Sequence, residues 1–333
     1  MRAPHAQAVG TALGFLGDLL LGDPRRGHPV AAFGRAAAAA ERALWRDRRA
    51  AGAAHTALCV GGAVAAVTLP VAAARRYARQ AGGPAEAALL AAVTWTVLGG
   101  TGLERAARDV GAALEAGDVA GARRLLPRLC GRDPEALDAD GIARAVVESV
   151  AENTSDAVVG ALVWAALAGA PGTAAFRAVN TLDAMVGHRS PRYRRFGWAA
   201  ARLDDLAGWP GARLTAVLAA LGGPCPSGAL RAWRTDAHRH PSPNAGPVEA
   251  AFAGALGLRL GGTLAYGGRV EHRPVLNGPG RTVRTGDIAR AVRLSRRVGL
   301  LALLLTVGAG TGGRQAAARV RTRARTRTGR GVG

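Results

Sequence analysis

"ARAVVESVAENTSDAVVGALVWAALAGAPGTAAFRAVNTLDAMVGH", residues 143–188, gathers acids and amides at regular spacing around an uncharged core, and its reading decides the architecture. Glu148, Glu152 and Asp156 recur every four residues, so on an α-helix they fall within an arc of roughly 80°. Like charges at that spacing repel, so the face needs water or a cation. Residues 157–176 carry no charge, and Arg177, Asn180 and Asp183 follow at three-residue spacing, with Arg202, Asp204 and Asp205 after them. One straight helix of about 20 apolar residues would cross a bilayer and strand the two polar groups on opposite sides. The segment Gly169-Ala170-Pro171-Gly172 favours a break instead, because proline lacks an amide donor and glycine tolerates a tight turn. The expected structure is a helical hairpin. Roughly 21 Å of helix leads from Asp156 to the turn and roughly 18 Å leads back to Asp183, which returns both acidic groups to one level. Carboxylates and amides so placed suit Mg²⁺, a hard ion that commonly bridges a few side chains to substrate phosphates. Its candidate ligands are Glu148, Glu152, Asn153, Asp156, Asp183, Asp204 and Asp205.

Outward from this stretch the chain is apolar but poor in large residues, with 49% hydrophobic and 4% aromatic positions. Small residues allow close helix approach inside a membrane. Segments 52–74 and 82–103 meet the length requirement for spans, and four further apolar runs are shorter or interrupted. The fold class expected is all-α: a multi-pass integral membrane helical protein with a polar helical layer and a re-entrant helical hairpin. One membrane domain covers 1–313, with a polar helical insert at about 104–150, and a disordered Arg-rich tail covers 314–333.

A net charge of +21 would by itself suggest nucleic acid. All 44 basic residues are arginine, however, and seven of them lie after Gly313. That is compositional bias plus a basic end attractive to anionic lipid head groups, so a membrane-lipid partner is expected and nucleic acid is not. The positive-inside tendency puts the tail on the cytoplasmic side of the cell membrane, and the active site is expected on that side as well. With no lysine in the chain, a P-loop lysine and a Schiff-base lysine are excluded. Three distant cysteines, Cys59, Cys130 and Cys225, give no disulfide framework.

Near the N-terminus, "GDLLLGDPRRGHPVAAFGR" (17–35) ends an apolar helix in a turn. Arg25, Arg26 and His28 there are candidates for a phosphate or carboxylate subsite. In "HPSPNAGPVEAA" (240–251), Ser242-Pro243-Asn244 reads as a helix cap, and the amides of 244–246 are candidates to face an anion at the helix N-terminus. The segment after Tyr266 reads as a Gly-rich loop or small hairpin before a helix starting near Thr285 to Asp287.

Taken together, "DLLLGDPRRGHPVAAFGR", "ESVAENTSDAVVGALVWAALAGAPGTAAFRAVNTLDAMVGH", "RYRRFGWAAARLDDLAGWPGARL" and "HPSPNAGPVEAAFAGALGLRLGG" resemble the CobD/CbiB family of cobalamin biosynthesis, the adenosylcobinamide-phosphate synthases. The order holds over most of residues 12–290. The departures are Ala and Gly enrichment, no aromatic after the Gly of "SPNAGPVEAA", and the Arg tail. The resemblance implies a membrane enzyme, a ligase that joins (R)-1-amino-2-propanol or its O-phosphate to adenosylcobyric acid, with ATP as co-substrate and Mg²⁺ as cofactor. Other membrane enzymes of cobalamin assembly are expected partners. The expected roles are catalysis by Glu152, Asp156, Asp183 and Asn180, and phosphate or substrate binding by Arg177, Arg202, Asn244, Arg25 and His28. The competing reading is a non-catalytic sensor of the AmpE-like kind, in which the acids are structural.

Overall fold

The computed structural model describes residues 3–24, 27–77, 82–135, 137–188, 190–266 and 269–328. Of side chains it leaves undescribed 3–4, 71, 74–77, 82, 263–266, 269–272 and those from 309 on. Arg25 and Arg26 lie outside the described residues. Among the described residues are twelve α-helices and one two-stranded hairpin.

Helix α7 (Ala139–Thr154) starts where Asp138 accepts a hydrogen bond from Gly141 N at 2.8 Å, a side-chain cap on an otherwise orphan donor. It runs through a π-turn, Ser155–Val159, straight into α8 (Gly160–Leu182). Inside α8 the chain reverses at Gly169, whose φ of 63° and ψ of −153° fall in a region open essentially to glycine alone. The expected hairpin is therefore present, turning at the Gly-Ala-Pro-Gly segment. Gly160 lets the arms touch: a Cβ there would lie 2.3 Å from the ring of Phe176. A second π-turn, Asp183–Gly187, closes the returning arm.

Around the hairpin pack α1 (Ala3–Leu21), α3 (Arg49–Tyr77), α4 (Gly82–Val97) and α9 (Trp198–Gly222). Close packing of α1 on α4 depends on small residues, since a Cβ at Gly10 or Gly14 would meet Ala87 O or Thr94 Cβ within 3 Å. Helix α2 (Pro29–Leu44) lies against α3, with buried His55 bonded to Ala37 O at 3.0 Å. Three segments are long and apolar enough to cross a membrane: Arg49–Pro70, Gly83–Glu115 and Ala139–Gly187. The first two match the expected spans in place. The second is interrupted between α4 and α5 (Gly100–Glu115), and the third is the doubled-back hairpin.

A polar layer is formed by α5, α6 (Val119–Leu125) and the first turns of α7. α5 buries Leu103, Ala107, Val110 and Leu114 on one face, the spacing of an amphipathic helix. α10 (Pro226–Asp236) and α11 (Ala245–Leu256) complete this end together with the antiparallel pair β1 (Leu260–Tyr266) and β2 (Arg269–Leu276). A bulge at Gly261 and Gly262, with φ of 78° and 90°, bends β1.

The last helix, α12 (Gly286–Thr328), starts in the polar layer with Ile288 beside Gly111. It then passes Thr154 at Ser295 and Phe15 at Gly299. Since α1 has its Gln7 at the hairpin turn and its Asp18 at Thr101, α12 heads from the polar layer toward the turn. It carries the Arg-rich end away from the acidic residues, whereas the sequence reading places both on one side. Charge counting is blind to the direction of the final helix. Backbone helix continues through the tail to Thr328.

Candidate functional site

The two arms of the hairpin and α9 bring one amide between two acids. Asn180 Nδ2 donates to Asp156 Oδ2 at 3.4 Å and to Asp204 Oδ1 at 3.5 Å, and Asn180 Oδ1 accepts from Arg177 NH1 at 3.5 Å. An arginine can only donate, so the amide oxygen must face Arg177 and both amide protons must face the acids. All three contacts are long for hydrogen bonds, which leaves room for a bound group to draw the side chains in.

Asp183 adds its charge from the second π-turn, within electrostatic reach of Asp205, Glu152 and His188. Glu152 also acts on Asp156 and Asp204. The cleft is open: Asp156, Asn180, Asp183, Asp204 and Asp205 are half-buried and Glu152 is exposed. Asp204 lies on α9, outside the three candidate spans. Burial first, and then the charge of Asp183, push its carboxyl up to about 7. Both π-turns carry an acid of this cleft, and π-bulges inside helices occur frequently at functional sites.

Sequence periodicity did not separate Glu148 from this group, but the structure does. Arg132 NH2 donates to Glu148 Oε2, and Gly261 N donates to Glu148 Oε1 at 2.7 Å. Both oxygens of a buried carboxylate are thereby engaged with the loop before α7 and with the bulge of β1. The eight residues from Glu148 on α7 to Asp156 in the π-turn amount to about 12 Å, enough to put the two acids in different surroundings. Gly261 is required there, since a Cβ would lie 2.1 Å from Pro274 O. Beside this pair lie buried His240 and Glu249, with Nε2 3.8 Å from Oε1. Burial, reinforced by Glu148 and Glu152, holds the Glu249 carboxyl well above the usual range, and burial lowers the His240 imidazole. The two are a neutral pair rather than a salt bridge.

Four more expectations are relocated. Asn153 turns back on its own helix, Nδ2 donating to Ser149 O at 2.9 Å. His28 caps α2, its Nδ1 accepting from Val30 N at 3.2 Å. Arg202 stays exposed beside Asp205 at 3.4 Å. Asn244 is committed to α9, with Nδ2 donating to Asp205 O at 2.9 Å and Oδ1 accepting from Arg213 NH1 at 2.8 Å. The amides of 244–246 do not face an anion. Ser242 takes all three, Oγ accepting from Asn244 N and Ala245 N and its carbonyl from Gly246 N, so the expected cap displaces the expected anion site. Asp23 was not singled out by the sequence. Its carboxylate packs on the start of α5 at Gly102 and its charge acts on Arg177 together with that of Asp156. The signal available was its place in "GDLLLGDP".

Among the described residues, no three His, Cys, Asp or Glu side chains already stand close enough to cage a metal. The donor set is nevertheless all oxygen, and Mg²⁺ usually takes one or two carboxylates, several waters and substrate phosphates rather than an all-protein cage. The residues present fit such an ion.

Residues 11–295 match the family model described as CobD/Cbib protein. A "Cobalamin biosynthesis protein CobD" from Mycobacterium tuberculosis is 55% identical over 307 residues, 91% of this chain and 96% of the relative. Proteins of the same description are similar in Rhodobacter capsulatus, at 42% over 308 residues (87% and 96%), and in Chromobacterium violaceum, at 44% over 294 residues (84% and 89%). No solved structure matches.

Proposed function

This chain belongs to the CobD/CbiB family and acts in cobalamin biosynthesis as a membrane enzyme, and from that premise we propose that it forms the amide bond between adenosylcobyric acid and (R)-1-amino-2-propanol or its O-phosphate. ATP converts the corrinoid carboxylate to an acyl phosphate with release of ADP. The amine nitrogen attacks the acyl carbon, phosphate leaves, and the proton shed by nitrogen passes to a carboxylate of the cleft.

The observation that carries this reading is the meeting of Asp156, Asn180 and Asp204 from three elements. A carboxylate pair on one amide can hold an ammonium and accept its proton. Arg202, exposed beside the acids, would bear phosphoryl charge. Asn180, with its orientation fixed by Arg177, positions the nucleophile. When bound, Mg²⁺ would supply charge stabilisation at phosphoryl oxygens, and Glu152, Asp156, Asp183 and Asp204 are the residues that would hold it. The cleft faces the cytoplasm in this reading, where ATP is found.

Complementation tests it. Expressed in a bacterium that lacks its own adenosylcobinamide-phosphate synthase and is supplied with cobyric acid, the parent chain restores cobalamin-dependent growth and Asp156→Asn does not. Failure of the parent, with the protein shown to be in the membrane, would overturn the reading.

A further inference from the structure

Between α2, α3, α4 and the returning arm of α8 runs a groove of about 600 Å³, a volume in the range of small-molecule sites. Its walls are mainly alanine, glycine and valine with Phe33 and Leu58; Thr96 and Thr181 also line it, their hydroxyls bonded to their own helices, and among the described residues Arg177 is the one charged residue in the lining. Leu58, Gly62 and Ala66 line it from a helix segment apolar enough to cross a membrane, and all three are exposed. The groove therefore opens toward hydrocarbon.

Among the described residues the Arg177 guanidinium makes one hydrogen bond, NH1 to Asn180 at 3.5 Å, and its Nε is buried without a partner. The charges of Asp156 and Asp23 act on this cation from the cleft side, but the unfilled Nε donor at the wall of an apolar channel calls for an acceptor that brings its own apolar body. A corrinoid, edged with amides, would lose hydration against these walls without replacement bonds, whereas an acyl chain loses none. We propose that the groove holds an acyl chain of an anionic phospholipid whose phosphate pairs with Arg177. The lipid would steady the guanidinium that orients Asn180. That link to catalysis rests on the reaction assigned above, while the lipid site does not.

The full chain, reconstituted in nanodiscs of phosphatidylcholine and phosphatidylglycerol in equal parts, is released into mild detergent and weighed by native mass spectrometry. The parent is expected to retain one phosphatidylglycerol at least about tenfold over phosphatidylcholine. Ala63→Phe, or Gly62→Leu should the first misfold, fills the groove and abolishes retention. Arg177→Gln keeps a lipid but loses the preference for the anionic head. Leu69→Phe, on the same helix outside the groove, changes nothing. Equal retention of both lipids by the parent, or retention undiminished by filling the groove, overturns the proposal whether or not the chain complements. Displacement of the lipid by cobyric acid in the absence of other substrates would overturn it as well, making the groove a corrinoid site.

Discussion

Glu148 and Asp156 look alike in the sequence, two acids on one helical face, yet opposite responses to neutralisation are expected of them. Glu148→Gln removes one partner of a buried ion pair and deprives Arg132 of its carboxylate, a loss of roughly 3–5 kcal/mol. Asp156→Asn removes a like charge from a group of acids. The predicted outcome is a large fall in melting temperature for Glu148→Gln in detergent. For Asp156→Asn it is an unchanged or higher melting temperature with at least about 100-fold less conversion, the range general acid–base groups supply. Equal melting temperatures would show that Glu148 belongs with the cleft. Spacing made the acidic face legible, because the period of 3.6 is a property of one helix. It could not reveal Arg132 or Gly261 N as partners, because neighbours across 16 and 113 positions leave no periodic trace. Asp287 is a further case: Arg281, Arg290 and the amide of Arg284 converge on it. Burial alone would raise its carboxyl, but these bonds outweigh it and lower the value to about 2. Its contribution to stability is full above the unfolded value near 4 and is lost as pH falls toward 2. Asp287→Asn is expected to remove the acid-side slope of an unfolding titration between those values.

At the scale of elements, the hairpin was legible for a chemical reason: Gly-Ala-Pro-Gly in the middle of an uncharged run is a poor helix centre. The two π-turns were not, since no residue type encodes them. Gly169 carries the reversal at positive φ, so Gly169→Ala is expected to cost about 1–3 kcal/mol, read as a lower melting temperature. The β-bulge makes a parallel demand at Gly261. The α11 cap shows how a correct local reading excluded another: Ser242 satisfies the amides that an anion would otherwise have used.

Across the whole molecule the acidic cleft and the Arg-rich end lie toward opposite ends of α12, so their sidedness can be read directly. With Cys59, Cys130 and Cys225 replaced by serine, single cysteines introduced at Ala184 beside the cleft and at Gly331 after the last helix are expected to react with an impermeant maleimide from opposite faces of sealed vesicles. Reaction from one face would mean that α12 does not cross. The turn at Gly169 has a consequence for biosynthesis on the ribosome. The uncharged part of the first arm, residues 157–168, makes about 18 Å of helix, well short of a hydrocarbon core of about 30 Å. A nascent chain ending at Ala168 has no stable place in lipid and must wait in the translocon for its second half, so that Asp156 and Asn180 enter the bilayer already facing one another.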